Sequence, residues 1–393
     1  MNLEEIKKEE KQYVMQTYTR NDLFLVKGEG CILYDDQGNR YIDMTSGIGV
    51  NCLGHNHPAL VSALHDQSQK LMHTSNLYYT TPMVQVAKEL VKSTGMSKVF
   101  FANSGAEANE GVIKLARKYS NDHYGSNRYK VLSLIQSFHG RTMMTLTATG
   151  QDKFHQYFDP FPEGFSYVIA NDIEDFKNKL DDTVCLVLME MIQGEGGVLP
   201  LDKSFVQEVT KICHEKDVLV AVDEVQTGIG RTGSLFCYQQ YEIQPDIVSM
   251  AKGLGGGLPI GAIMTNDKCS TVLQAGMHGS TFGGNLMSTR AAMTVLSIVN
   301  QKEFLEDVKQ KGQYLMEEIR KIKSLDIHEV RGMGLMIGVV VDANKRADFV
   351  KKLQDKGVLV LTAGTQAIRL LPPLIISKEE LDHVIQTFKE VFS

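Results

Sequence analysis

Short apolar runs rich in β-branched residues alternate with longer amphipathic stretches through the middle of the chain. Val99–Ala102, Val131–Ile135, Val184–Met189, Val218–Val222 and Ile247–Met250 are too brief for buried helices and read as strands covered on both faces. Helical patterns separate them from about residue 55 to 285, which predicts βαβ units and a mainly parallel sheet. After Gly284 the pattern changes. It predicts a helix over 286–323, strands at Ile327–Val330 and Leu335–Val341, a helix over 344–356, strands at Val358–Leu361 and Ala367–Leu371, and a closing helix over 377–392. This is a smaller α+β unit. At the other end, residues 3–16 read as a short helix and Ile32–Asp43 as a hairpin turning at Asp36–Asn39, expected to pack with the C-terminal unit. The expected division is therefore 1–54, 55–285 and 286–393, with a site in the cleft between the larger units.

A chain of 393 residues exceeds what one hydrophobic core normally organises, in keeping with two domains. The formal net charge of -6 argues against a nucleic-acid footprint, which needs a basic face. Six scattered cysteines with no C-x-x-C pair read as reduced packing residues. The first residues are charged and lack the apolar centre of a signal peptide, and no apolar run reaches the roughly 20 residues that span a bilayer. The expectation is a cytoplasmic protein without membrane partners. His55-Asn-His57 precedes Pro58 with no Cys/His cluster near it, so no metal is expected.

The candidate chemistry sits where strands end. One apolar strand stops at Asp223 and the next just before Lys252. In an open parallel sheet, ligands bind beyond the carboxyl ends of the strands, so both side chains would enter one crevice. A lysine there can condense with an aldehyde cofactor, and an aspartate can hold a pyridine nitrogen protonated, which together read as a pyridoxal-phosphate site. Either residue alone is more often a cap or a solvated loop residue. Asn103–Glu107 opens a helix after Val99–Ala102, and its small residues suit a phosphate, although Ser104 and Glu107 also form a Ser-x-x-Glu capping box. Phe138 and Arg141 follow another strand, where an aromatic could stack on a flat ring and an arginine could clamp a carboxylate. Glu190 ends Val184–Met189, and the glycine loop Gln193–Gly197 presents Glu195. Arg369 stands alone in an apolar strand, where a buried guanidinium needs a carboxylate partner.

Asp223, Lys252, Asn103–Asn109, Phe138–Arg141, Gln193–Gly197 and Gly279–Gly284 occur in one order, and that set resembles the class III, ornithine-type pyridoxal-phosphate aminotransferases from about residue 25 to the end. The resemblance implies an α/β chain of fold type I, a large domain with a mainly parallel sheet of the seven-stranded type plus a smaller α+β domain, in a homodimer with active sites at the subunit boundary. It implies Lys252 as the residue bonded to the cofactor and Asp223 as the partner of the ring nitrogen. Val225 and Phe138 would flank the ring, Gln226 would reach its hydroxyl, and Glu190 would stand at its edge. Ser104, Gly105 and Ala106 would cradle the phosphate, helped by Thr281 of the second copy. Arg141 and Arg369 would clamp carboxylates, Ser280 would lie beside the substrate, and Glu195 would mask or release Arg369. The implied reaction moves the terminal amino group of N-acetylornithine to 2-oxoglutarate. Ornithine, succinylornithine and 4-aminobutyrate remain alternative donors, and a pyridoxal-phosphate aminomutase remains an alternative of another kind. Ser46-Gly-Ile-Gly-Val50 carries no aromatic to meet a free α-amino group, which favours an acylated donor.

Overall fold

The runs that end at Asp223 and just before Lys252 form neighbouring strands. In the computed structural model, which describes residues 1–393, one sheet is built from β1 (Lys98–Ala102), β2 (Lys130–Leu134), β3 (Phe165–Val168), β4 (Val184–Met189), β5 (Leu219–Asp223), β6 (Ile247–Met250) and β7 (Gly261–Thr265). Their spatial order is β1-β7-β6-β5-β4-β2-β3. Only β7 runs against its neighbours; the other pairings between adjacent strands are parallel. The fold is thus α/β with a large, mainly parallel sheet, as the pattern predicts, and its seven strands match the number that the resemblance implies.

Successive strand residues point to opposite faces, and this alternation divides the sheet between two cores. Val187, Met189, Val220 and Val222 enter one; Leu186, Leu188, Leu219 and Ala221 enter the other. The second core is completed by Ala108, Val112, Ile113 and Ala116 of the helix Gly105–Tyr124. The first takes Phe205, Val206 and Val209 from the helix Lys203–Glu215. Each Val, Leu, Ile, Met or Phe side chain among them contributes about 1.5–3 kcal/mol on burial, which is why these strands tolerate no polar alternation.

Two strands of the large sheet escape the sequence pattern: β3, whose Phe-Ser-Tyr-Val is short and mixed, and β7, which emerges from a glycine-rich segment. The stretch 286–323 is two helices, Leu286–Val299 and Lys302–Arg320. The break has a physical cause: Asn300 leaves helical geometry and its Nδ2 donates to Glu89 Oε1 at 2.9 Å and Ser93 Oγ at 2.7 Å on the helix Thr81–Thr94. The first helix stops at Tyr13, earlier than expected, because Val14 is extended.

Near the C-terminus, Ile327–Met333, Met336–Val341, Ala367–Leu370 and Leu361–Ala363 form an antiparallel sheet in that order. The N-terminal strands Leu25–Glu29, Ile32–Asp35 and Arg40–Asp43 are extended by Val358–Leu359, which pairs parallel with the last of them. No helix is long and apolar enough to cross a membrane. All six cysteines are buried and free.

Candidate active site

The parallel strands share one carboxyl edge, and β5 delivers Asp223 to it. Asp223 is 3% exposed, so its carboxylate must be satisfied by protein groups. Its Oδ2 accepts from Asn109 Nδ2 at 2.7 Å and from His139 Nδ1 at 2.8 Å, while Oδ1 accepts the Val225 N–H at 3.0 Å. Three donors fix its orientation. The Asn109 amide also donates to the His139 carbonyl at 2.8 Å, which locks the helix Gly105–Tyr124 to the turn after β2.

Lys252 follows β6 in a tight turn with φ of 39°, a left-handed conformation that is costly for a lysine and typical of residues held for function. Its side chain lines the cavity. Burial lowers its pKa below the ordinary lysine value; Glu195 opposes that effect and Arg369 adds to it. The amine is therefore neutral over a wider pH range than a surface lysine, as a nucleophile or proton carrier requires.

Opposite it, Ser104 caps the helix Gly105–Tyr124, its Oγ accepting the Glu107 N–H at 3.1 Å. Glu107 does not close the expected box on Ser104. Its carboxylate reaches one residue further back, to the Asn103 N–H at 2.7 Å and the Asn103 amide at 2.9 Å. The Gly105 and Ala106 N–H groups, at the positive end of the helix, have no intrahelical acceptor and suit an anion. A Cβ on Gly105 would lie 2.7 Å from Val225 Cγ1, so only glycine lets the turn after β5 approach this helix.

Glu190 is also buried at this edge. Its Oε1 accepts the Phe138 N–H at 2.9 Å and its Oε2 the Gly194 N–H at 3.3 Å, tying the Phe138 turn to the glycine loop. Burial pushes its carboxyl up to about 7, against the pull of the His139 ring and those N–H groups. On the same loop, Glu195 Oε1 meets Arg369 Nη1 at 2.6 Å. Gln226 joins both, accepting from Arg369 Nη1 at 3.0 Å and donating to Glu195 Oε1 at 3.3 Å. Burial would raise the Glu195 carboxyl, but the charge and hydrogen bond of Arg369 outweigh it and hold it below the ordinary range. Arg141 is exposed, and its guanidinium lies over the Phe154 ring at 4.2 Å and the Phe138 ring at 5.6 Å.

Ser104, Gly105, Ala106, Phe138, Arg141, Glu190, Asp223, Val225, Gln226 and Lys252 line one cavity of about 460 Å³. Glu195 and Arg369 stand behind its wall, joined to it through Gln226. Ser280 is reached by Asn103 Nδ2 at 2.9 Å, whereas Thr281 is exposed and lies outside the cavity lining of this chain. Sequence reasoning gave no role to Asn109 and His139, although both lie within quoted motifs. The available signal was spacing: Asn109 is one helical turn beyond Gly105, on the same face.

A family model, Aminotransferase class-III, matches residues 13–392. The chain belongs to the class-III aminotransferases. An acetylornithine aminotransferase of Haemophilus ducreyi is 49% identical, covering 100% of each chain, and a succinylornithine transaminase of Citrobacter koseri is 43% identical over 94% of this chain and 92% of its own. Among solved structures, the ornithine aminotransferase of Toxoplasma gondii superimposes with a TM-score of 0.96 at 30% identity, covering 100% of this chain and 95% of that one. The cofactor of this aminotransferase is pyridoxal phosphate. The cavity fits that group on its own chemistry: a carboxylate held by three donors, a helix N-terminus with free N–H groups, the flat Phe138 ring, the apolar Val225 and a lysine all line it.

Proposed function

We propose that this aminotransferase takes the terminal amino group of N-acetylornithine and gives it to 2-oxoglutarate, with Lys252 and Asp223 as catalytic residues. The observation that carries the substrate reading is the pair of unlike guanidinium groups around one cavity. Arg141 is open to an incoming carboxylate, while Arg369 is covered by Glu195. A donor that reacts through a terminal amine has its α-carboxylate far from the reacting carbon, which suits Arg141 and needs no second cation. The dicarboxylic acceptor needs both, so Glu195 must swing aside before Arg369 can bind it bidentately.

Bound pyridoxal phosphate supplies a carbonyl that receives the amino group and a ring that withdraws electrons from the reacting carbon. The protein's part is positional and acid–base. Asp223 presents a carboxylate, fixed by Asn109, His139 and the Val225 N–H, where the ring nitrogen would sit. Lys252 Nζ, with its lowered pKa, would take a proton from the substrate's amino-bearing carbon and return it to the cofactor carbon that receives the amino group. Ser104, Gly105 and Ala106 hold the phosphate end, and Thr281 of a second copy would complete that cradle in a homodimer.

Val50 lines the cavity, and its neighbours Ile48 and Gly49 offer no polar group to a charged α-ammonium. An acetamide is neutral and avoids that desolvation cost. Incubating the purified protein with N-acetylornithine and 2-oxoglutarate tests the reading. Stoichiometric formation of glutamate and a semialdehyde is expected. Turnover of the amine without consumption of the oxo acid would assign an aminomutase instead.

A further inference from the structure

Arg231 is the largest of the fully buried side chains, yet its guanidinium faces no carboxylate within ion-pair distance. Its Nη1 donates to the Leu335 carbonyl at 3.0 Å and the Pro372 carbonyl at 2.6 Å, and its Nη2 has no partner. The backbone repeats the connection: the Leu335 N–H donates to the Arg231 carbonyl at 3.0 Å. Burial lowers its pKa to about 10, so it stays charged at neutral pH. An uncompensated buried cation is costly, and a packed aliphatic residue would avoid that cost.

The position of its acceptors suggests what the cation does. Leu335 leads into Met336–Val341, whose Gly338 pairs with Arg369, and Pro372 lies three residues beyond Arg369 on the same segment. Arg231 itself lies five residues beyond Gln226 and eight beyond Asp223. The turn that carries it has no slack: a Cβ on Gly230 would lie 2.5 Å from Val299 Cγ1, and one on Gly334 would lie 2.5 Å from the Thr232 carbonyl carbon. One side chain therefore grips the segment that carries Arg369 and one of the two strands paired with it, and ties them to the segment after β5.

We infer that Arg231 is a positioning residue that sets where Arg369 stands relative to Asp223 and Lys252, and so governs recognition of the acceptor's α-carboxylate. This rests on the proposed role of Arg369 toward 2-oxoglutarate. Arg231 touches neither substrate nor cofactor lining, so its effect is confined to the half-reaction that uses Arg369.

The test compares Arg231→Lys, Arg231→Met, Arg369→Lys and the double variant Arg231→Met/Arg369→Lys in the holoenzyme. Glutarate, a non-reacting dicarboxylate, is titrated by calorimetry, and the single-turnover rate with N-acetylornithine is measured separately. Arg231→Met is expected to weaken glutarate tenfold or more while changing the donor half-reaction less than twofold, with Arg231→Lys intermediate. The double variant should bind glutarate no worse than Arg369→Lys alone. Equal losses in both measurements, or additive losses in the double variant, would overturn the inference; so would failure of both Arg231 variants to fold, which would make the residue a stability element. If Arg369→Lys itself leaves glutarate binding unchanged, the role of Arg369 fails instead, and the inference falls with it.

Discussion

At the scale of single residues, the site is a set of groups held in conformations or protonation states they would not adopt in water. Lys252 combines a left-handed backbone with an amine whose pKa burial lowers. Lys252→Ala is expected to cut turnover by roughly a thousandfold or more, because the proton carrier is lost. The visible absorption of lysine-bonded cofactor should disappear from the purified protein as well. Normal spectra and rates in that variant would remove Lys252 from the mechanism. Glu224, next to Asp223, shows the cost of such burial: its carboxyl, accepting the Tyr238 N–H at 2.7 Å and the Thr227 hydroxyl at 2.6 Å, is pushed up to about 7 by burial. Between the ordinary carboxylate value and about 7 the folded chain keeps a proton that the unfolded chain has lost. Stability therefore falls as pH rises through that window and levels off above it. Glu224→Gln should flatten the decline, by up to about 3 kcal/mol across the window. Melting temperatures of both proteins from pH 4.5 to 8 would check this, and identical slopes would contradict it.

At the scale of elements, contact between the turn after β5 and the helix Gly105–Tyr124 shapes the anion-binding end of the cavity. Gly105→Ala should push Val225 outward and weaken cofactor affinity about tenfold, roughly 1.4 kcal/mol, with little effect on melting of the cofactor-free protein. Cofactor titration would reveal it. Strand ends of this kind are legible in a sequence because apolar runs stop abruptly where chemistry begins, as at Asp223 and Lys252. Other features are set by partners far along the chain. β7 begins at Gly261, where a Cβ would lie 2.1 Å from the Ser104 carbonyl oxygen, so its glycine records a neighbour 157 positions away rather than a local turn. The break at Asn300 likewise follows from contacts with Glu89 and Ser93. His139 and Asn109 gain meaning only when folding brings both to Asp223.

At the scale of the whole molecule, the cavity lies at the carboxyl edge of the large sheet with the strand that carries Arg369 behind its wall, and in the proposed mechanism the Glu195–Arg369 pair distinguishes the two half-reactions. Arg369→Lys keeps the charge but loses the fork, so kcat/KM for 2-oxoglutarate should fall roughly ten- to a hundredfold while the donor half-reaction is nearly unchanged. Rapid-mixing measurements of each half separately would show the asymmetry, and equal losses would refute the switch. The central claim is that this cavity accepts a terminal amine whose α-nitrogen is acylated. Paired steady-state measurements with 2-oxoglutarate as acceptor test it most directly. N-acetylornithine should exceed ornithine in kcat/KM by about tenfold or more, a difference that needs only about 1.4 kcal/mol. A ratio at or below one would contradict the account and make ornithine the donor.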